Sequence, residues 1–391
     1  ISVKVLRVNA WTSNENYKVV EDRSGKTIYT CSSNHLIPVG CFIKQKKEKS
    51  KDENTVHTVM NLTAKELFEM QNKKTGGISV KSVFTTTAIK GFGQKNADID
   101  PYVLGCLLGD GSLVSGIRFT SMDVEIVEEM TKRGFIVSSS HKAPNSKAID
   151  YRMSSRSSLY DALDRHALIG TRSHTKFIPD AAKYSSIEYR KLLLAGLLDT
   201  DGSLITKDVV GKGNLVNIQY DYATTSNQLA SDVQFLVHSL GGYCVIKERI
   251  TASSVGGKKF RSLRLYISLD TDLPVICKRK KGKQSRPSIR YKGPRSHGFK
   301  MKQVTKPLEV FGVVLDSPSQ WYITNNFYVT HNSGKTATTL YLISEVQKQG
   351  GTCAFLDAEY SFNGEFAASI GVDTKKLFVS QPATLEEGAD T

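Results

Sequence analysis

The sequence predicts a multi-domain chain: an all-β shell interrupted by an α+β pseudo-twofold domain, then the opening of an α/β domain with a phosphate-binding loop. Three observations predict it. Asp110-Gly111-Ser112-Leu113 recurs as Asp201-Gly202-Ser203-Leu204, with matching patterns downstream of each copy. Charge is split: residues 333–391 carry four Lys and eight Asp or Glu, a net of −4, so the chain total of +15 leaves +19 for residues 1–332. Ser333-Gly334-Lys335-Thr336 is the closing half of G-x-x-x-x-G-K-[ST], whose backbone N–H groups and lysine hold a nucleotide's phosphates. Val329 stands where the opening glycine belongs.

With 391 residues the chain is long enough for two or three domains. No stretch approaches the roughly 18 apolar residues of a membrane span, and no signal-peptide pattern is present. The six cysteines, Cys31, Cys41, Cys106, Cys244, Cys277 and Cys353, include no C-x-x-C pair. They are expected to be free thiols in a reducing cytoplasm, with no zinc site.

In chain order, residues 1–95 read as the first part of the β-shell, with short strands at 3–11, 17–21, 26–31 and 36–39. Residues 96–277 hold the duplication. Each copy of Asp-Gly-Ser-Leu ends an apolar helical run, 103–109 and 194–200. The first is followed by strand-like 113–121, a helix at 123–133, strands at 135–141 and 150–154, and a helix at 157–168. The second is followed by strands within 204–225, a helix at 227–240, and strands at 243–250 and 260–269. Two α-β-β-α-β-β units of similar length predict pseudo-twofold symmetry. Gly105/Gly109 and Gly196/Thr200 sit at i, i+4 on one face of each helix and would let the two backbones approach.

Two helices side by side would bring Asp110 and Asp201 together at their ends. Paired carboxylates that hold Mg²⁺ suit phosphodiester hydrolysis, in which the metal activates water and neutralises the attacked phosphate. The strands would form a basic saddle for the major groove of double-stranded DNA. Residues 278–302 form a basic arm, 11 of 25 being Lys or Arg with no acid. Its Gly, Pro and Ser content predicts a loop or extended segment. Lys278, Arg279, Lys280, Lys281, Lys283, Arg286, Arg290 and Lys292 are its candidate DNA contacts. Residues 303–332 return to strand patterns at 310–315 and 321–329, and 333–391 open the acidic domain.

The two helix ends, most closely 194–202, resemble the duplicated LAGLIDADG motif of homing endonucleases. The resemblance implies that Asp110 and Asp201 are metal-binding catalytic carboxylates. Lys176-Phe177-Ile178-Pro179 resembles the family's K-x-I-P element and makes Lys176 a candidate catalytic lysine that polarises the phosphate or tunes the water. A second lysine is implied in repeat two, with Lys278, Lys280 and Lys281 as candidates.

The interrupted β-shell resembles an intein of the Hedgehog/intein (HINT) fold. Ser32-Ser33-Asn34-His35 is similar to that family's T-x-x-H block, with serine for threonine. His331-Asn332-Ser333 is similar to its C-terminal His-Asn-(Ser/Thr/Cys). Asp316 is similar to the acidic residue of the preceding block, whose usual histidine is replaced within Asn325-Asn326-Phe327. The resemblance implies splicing without a cofactor. Asn332 would cyclise to a succinimide, and His331 would assist the leaving amide. Ser333 would first accept the upstream segment as an ester, and His35 would activate the N-terminal scissile bond. The family begins with Cys or Ser, whereas this chain begins at Ile1, so a fragment is expected that does not splice as it stands and at most cleaves after Asn332.

Residues 333–391 resemble the core of RecA-type recombinases: Ser333-Gly334-Lys335-Thr336, a helix to about 349, the strand 353–357, then Ala358-Glu359-Tyr360. By resemblance Gly334, Lys335 and Thr336 bind ATP phosphates and Mg²⁺, and Glu359 positions the hydrolytic water. Single-stranded DNA and self-assembly are the implied partners of the intact host, and no membrane partner is expected. The sequence thus reads as a LAGLIDADG-bearing intein in a recombinase's phosphate loop. The alternatives are a standalone endonuclease with a decayed, non-splicing shell, and a fragment that only binds DNA or ATP.

Overall fold

The computed structural model describes residues 5–22, 25–46, 53–72, 78–93, 97–144, 146–154, 157–208, 216–252, 259–269, 273–278, 296–315, 321–331, 335–357, 362, 364, 367–368 and 371–382. They form two units, Ile1–Phe84 with Ser296–Thr391, and Thr85–Arg295. No helix among the described residues is long and apolar enough to cross a membrane.

The first unit opens with strands β1 (Val5–Ser13), β2 (Asn16–Glu21), β3 (Thr27–Ser32), β4 (Leu36–Lys46) and β5 (Glu53–Thr63). Helix α1 (Ala64–Asn72) and strand β6 (Ile78–Phe84) follow. Thr63 and Glu66 form a reciprocal cap at the start of α1: the Thr63 N–H donates to Glu66 Oε2 (2.8 Å) and the Glu66 N–H to Thr63 Oγ1 (3.2 Å).

The second unit contains the duplication. Its first half runs α2 (Pro101–Gly109), β7 (Gly111–Ser112), β8 (Arg118–Ser121), α3 (Val124–Lys132), β9 (Val137–His141), β10 (Ile149–Met153) and α4 (Ser158–Arg165). After the short helix α5 (Asp180–Lys183), the second half runs α6 (Ile187–Thr200), β11 (Gly202–Asp208), β12 (Val216–Thr224), α7 (Asn227–Ser239), β13 (Tyr243–Ala252) and β14 (Lys259–Ser268). The sheets have the same antiparallel order, β7-β8-β10-β9 and β11-β12-β14-β13, so the expected α-β-β-α-β-β repeat forms in both halves.

Asp100 caps α2 by accepting the Tyr102 and Val103 N–H groups at 2.9 and 3.1 Å, with Pro101 in the first turn. Helices α2 and α6 are in backbone contact. A Cβ on Gly105 would fall 2.3 Å from the Leu193 carbonyl oxygen, and one on Gly196 would fall 2.4 Å from that of Tyr102. Leu104, Leu107, Leu194 and Leu197 are fully buried around this contact, in one core with Phe119, Tyr222, Leu236 and Leu265.

The chain then returns to the first unit with β15 (Ser296–His297), β16 (Phe299–Val304), β17 (Leu308–Leu315), β18 (Trp321–Ile323) and β19 (Val329–His331). Three of these strands pair with the opening ones: β17 with β1, β16 with β2, and β15 with β6, where Ser296 faces Phe84. Val19, Ile37, Val39, Leu67, Phe299, Met301 and Tyr328 share one core across the interruption.

Two expectations are corrected here. The basic arm does not extend as a loop to 302, because residues 296–304 are strands. Phe299 and Met301 point inward and alternate with exposed Lys300 and Lys302, the period-two pattern of a half-buried strand. Residues 321–329 are not one strand but a hairpin, β18–β19. Phe327 turns the chain at φ 63°, with the Thr324 N–H donating to the Tyr328 carbonyl at 2.9 Å. The elements between 53 and 84 had no counterpart in the sequence reading.

Helix α8 (Lys335–Lys348) and the parallel strands β20 (Cys353–Leu356) and β21 (Leu377–Ser380) follow, close to the helix and strand expected there. Leu340, Ile343, Phe355, Ala367, Val372 and Leu377 form their core.

Candidate functional site

Asp110 and Asp201 are the C-cap residues of α2 and α6, with nearly identical backbone angles (φ −84°, ψ 1° and φ −85°, ψ 3°). The Asp110 N–H donates to the Cys106 carbonyl (3.1 Å) and the Asp201 N–H to the Leu197 carbonyl (3.2 Å), so each caps its own last turn. Both residues are exposed, and the glycine after each starts a strand. The Gly105–Gly196 contact holds the two helix axes together below them.

Lys176 lies buried beneath this pair, 4% exposed. Its Nζ donates to the carbonyls of Leu107 (3.0 Å), Gly109 (2.8 Å) and Gly111 (2.7 Å). Burial pushes its pKa down to about 8, against the raising influence of Asp201 and Asp110. Three of the sequence-predicted residues, Asp110, Asp201 and Lys176, therefore share one electrostatic environment. Beside Asp110 is a cleft of about 360 Å³, lined by Asp110, Ser121, Asp123, Lys147, Asp199 and Thr200 among others.

Two residues of this site escaped the sequence reading. Asp199 is 2% exposed, and its carboxylate accepts from the Tyr102 hydroxyl (2.9 Å) and the backbone N–H groups of Ile276 (2.7 Å) and Cys277 (3.2 Å). It ties the segment after β14 to α6. A carboxylate inside the apolar run Leu197-Leu198-Asp199 was the available signal. Tyr222 is fully buried, with no hydrogen-bond partner for its hydroxyl among the described residues. Burial raises its pKa well above the usual phenol range, and the charges of Asp201 and Asp110 add to this. Tyr222 faces Gly202 in its sheet as Phe119 faces Gly111 in the other, so the fold accepts phenylalanine at the matching place. Tyr222→Phe is expected to stabilise the protein by about 1 kcal/mol, because it removes an unpaired buried polar atom. Urea unfolding measures this, and a loss of stability would reveal a partner for the hydroxyl.

Of the predicted DNA contacts, only Lys278 is described. Its side chain is exposed, and its backbone N–H donates to Glu125 Oε1 at 3.1 Å. Arg279, Lys280, Lys281, Lys283, Arg286, Arg290 and Lys292 lie outside the described residues. The sheets add basic groups that the sequence reading did not name. Arg118 (β8), Arg152 (β10), Lys247 and Arg249 (β13), and Arg261 and Arg264 (β14) are at least partly open to solvent. Lys247 and Arg249 lie over the Tyr266 ring at 5.7 and 5.8 Å. Alternation with buried Leu263, Leu265 and Ile267 is the pattern that would have found Arg264 and Tyr266.

In the first unit, Ser32 ends β3 and His35 follows in a tight turn, its N–H donating to the Ser32 carbonyl at 3.2 Å. His35 Nε2 lies 2.6 Å from Thr330 Oγ1 on β19, and its ring meets Tyr29 edge-on. Burial, together with the charge of neighbouring His331, lowers the His35 pKa to about 4, so the ring is neutral at pH 7. The fold thus brings His35 to Thr330 and His331, some 295 residues away in sequence. Asn332, Ser333, Gly334, Asp316 and Glu359 lie outside the described residues. Lys335 and Thr336 begin α8.

Comparison with known proteins finds two families, in separate stretches of the chain. Residues 188–270 match the family described as LAGLIDADG-like domain, and residues 321–391 match RecA N-terminal domain. Protein RecA of Campylobacter hominis is 49% identical over 63 residues, covering 16% of this chain and 18% of that protein. Protein RecA of Campylobacter lari is 51% identical over 55 residues, 14% of this chain and 16% of that protein. The chain therefore spans less than a fifth of the length of these curated relatives. Among solved structures, the LAGLIDADG meganuclease I-AabMI bound to uncleaved DNA is 10% identical at a TM-score of 0.30, covering 48% of this chain and 88% of that one. Meganuclease I-SmaMI bound to uncleaveable DNA is 14% identical at a TM-score of 0.28, covering 44% and 79%. The chain carries a LAGLIDADG-like domain joined to part of a RecA N-terminal domain.

Proposed function

We propose that the duplicated unit is a site-specific, Mg²⁺-dependent endonuclease for double-stranded DNA. It is carried by a protein-splicing element of the HINT type that interrupts the phosphate loop of a RecA-like, ATP-dependent recombinase. The observation that supports this most is the backbone contact of α2 with α6 and the carboxylate that ends each helix. Asp110 and Asp201 would hold the cation, since two exposed carboxylates form an oxygen-only donor set suited to a hard ion. Mg²⁺ bound there would activate water and offset charge on the attacked phosphate. Arg118, Arg152, Lys247, Arg249, Arg261 and Arg264, with the arm from Lys278 to Lys292, would hold the duplex through its phosphates. The test uses the full chain, Mg²⁺ and a duplex that encodes the uninterrupted loop leading into residues 333–391. One pair of products is expected, and none with a chelator. Failure to cut any duplex carrying that junction overturns the reading.

In the shell, Ser32 and His35 would serve the upstream scissile bond. His35, neutral at pH 7, would act there as a hydrogen-bonding group rather than a charged acid. Ser333 would accept the upstream acyl group through its hydroxyl oxygen. The Asn332 amide nitrogen would then attack its own backbone carbonyl, closing a succinimide and freeing the Ser333 amine, to which His331 would deliver a proton. Asp316 would assist from the preceding block. The chain is expected to release residues 333–391 slowly, and Asn332→Ala to release none. Mass spectrometry scores this, and release by the variant rejects the assignment.

In the rejoined host, Gly334, Lys335 and Thr336 would bind ATP phosphates and Mg²⁺, and Glu359 would position water. Single-stranded DNA and further copies of the recombinase would be its partners.

A further inference from the structure

We propose that Lys176 is a positioning residue: its ammonium group clamps the end of α2 and aims the Asp110 carboxylate, and it does not donate to the DNA phosphate. The proposal rests on the reading of Asp110 and Asp201 as the cation site.

An ammonium group has three N–H donors. All three of Lys176 are engaged, by Leu107 at 3.0 Å, Gly109 at 2.8 Å and Gly111 at 2.7 Å. The Gly109 and Gly111 carbonyls flank Asp110 on either side. The Gly109 carbonyl belongs to the peptide plane that enters Asp110, and the Gly111 carbonyl to the plane one residue beyond the one that leaves it, so holding both restrains the backbone on each side of Asp110 and with it the bond that carries the side chain. The last carbonyls of a helix have no partner within the helix, and they carry its negative end. A buried cation there satisfies them and opposes the repulsion between that helix end and two carboxylates.

The other end of Lys176 is anchored in the second half of the repeat. Its carbonyl accepts from Ser226 Oγ at 2.6 Å, where Ser226 is the N-cap of α7. Two residues on, the Ile178 N–H donates to Asp232 Oδ2 at 2.8 Å, also on α7. Asp232 is itself held by Lys183 at 3.0 Å. Lys176 is therefore a strut between halves, with its backbone on the second and its ammonium on the first. A lysine donating to phosphate would have to surrender at least one of these buried or partly buried bonds, and the carbonyl it leaves would lose its charged donor.

The two roles predict opposite signs for cation binding. Removing a positive charge near two carboxylates strengthens their hold on a divalent cation, if charge is all that changes. Loss of aim weakens it. The experiment is calorimetric titration of the full chain with Ca²⁺, with the Asp110→Asn, Asp201→Asn double variant as the baseline for other sites. Lys176→Met is expected to weaken the Ca²⁺ affinity at least fivefold and to speed amide exchange at 107–111 at least tenfold, with the rest of the unit still protected. Lys176→Arg is expected to behave like Lys176→Met, because a planar guanidinium cannot meet three converging carbonyls as an ammonium does. It also provides the readout should Lys176→Met fail to fold. Ca²⁺ binding that is unchanged or tighter in Lys176→Met, or wild-type binding and cutting in Lys176→Arg, overturns the proposal. A wild-type chain with no Ca²⁺ heat above the baseline instead overturns the cation-site reading beneath it.

Discussion

Asp110→Asn and Asp201→Asn are each expected to slow Mg²⁺-dependent cutting at least about a thousandfold. A bound metal contributes several kcal/mol of transition-state stabilisation, and each 1.36 kcal/mol is about tenfold in rate. The substitution keeps the shape of the side chain while removing its charge. Both residues are exposed and sit at helix ends, with their own backbone N–H groups satisfying the last turn. Folding should therefore survive, and removing one of two neighbouring negative charges should not lower the melting temperature. A gel assay of duplex cutting, paired with thermal melts, separates the effects. Undiminished cutting by the double variant would sink the endonuclease assignment, whereas cutting lost together with the fold would show that the carboxylates are structural.

The second large effect is mechanical. Gly105→Val is expected to destabilise the duplicated unit by more than about 3 kcal/mol. The first methyl-sized atom alone would lie 2.3 Å from the Leu193 oxygen, 2.9 Å from the Leu197 nitrogen and 3.0 Å from the Gly196 Cα. All three are backbone atoms of α6, so no rotamer change relieves the clash and the helices must separate. Overpacking a core with extra methylene groups typically costs about 1–3 kcal/mol, and here two further methyl groups follow the first. For a unit of this size each kcal/mol lowers the melting temperature by about 2–4 °C. Gly91→Ala is the control, because a Cβ there meets nothing within 4 Å and the backbone is unstrained. Equal melting of Gly105→Val and wild type would disprove the close contact on which the site geometry depends.

The helices and sheets of the duplicated unit were legible because their signals are local and occur twice. Apolar runs ending in Asp-Gly marked where α2 and α6 end, although α6 begins at Ile187, upstream of the expected run at 194–200, and β7 is Gly111–Ser112, ahead of the strand expected at 113–121. The Gly105–Gly196 contact was legible too, since small residues four apart on two apolar helices have few other uses. What Lys176 does was not legible. Its partners are backbone carbonyls, which leave no trace in side-chain identity. The 296–304 strands were hidden because Lys300 and Lys302 made the segment look like more of the basic arm. Phe299 and Met301 between them carried the opposite message. The β18–β19 hairpin carried a turn signal in Asn325 and Asn326, which occupy its turn, but the aromatic and β-branched residues around them read as one strand, and the left-handed backbone falls on Phe327 rather than on glycine or asparagine. The approach of His35 to Thr330 depends on strands brought together from both sides of the interruption, which no local window contains.

One pairing carries a consequence for how such a chain could arise. Ser296 lies opposite Phe84 in the β6–β15 ladder, so residues 85–295 leave and re-enter the shell at neighbouring positions of one sheet. Strands joined at such a point need only a two-residue turn such as Asn-Gly. The shell's pairings β1–β17, β2–β16 and β4–β6 make no use of the intervening residues. The duplicated unit could be gained or lost in one genetic event, with the register of the shell unchanged.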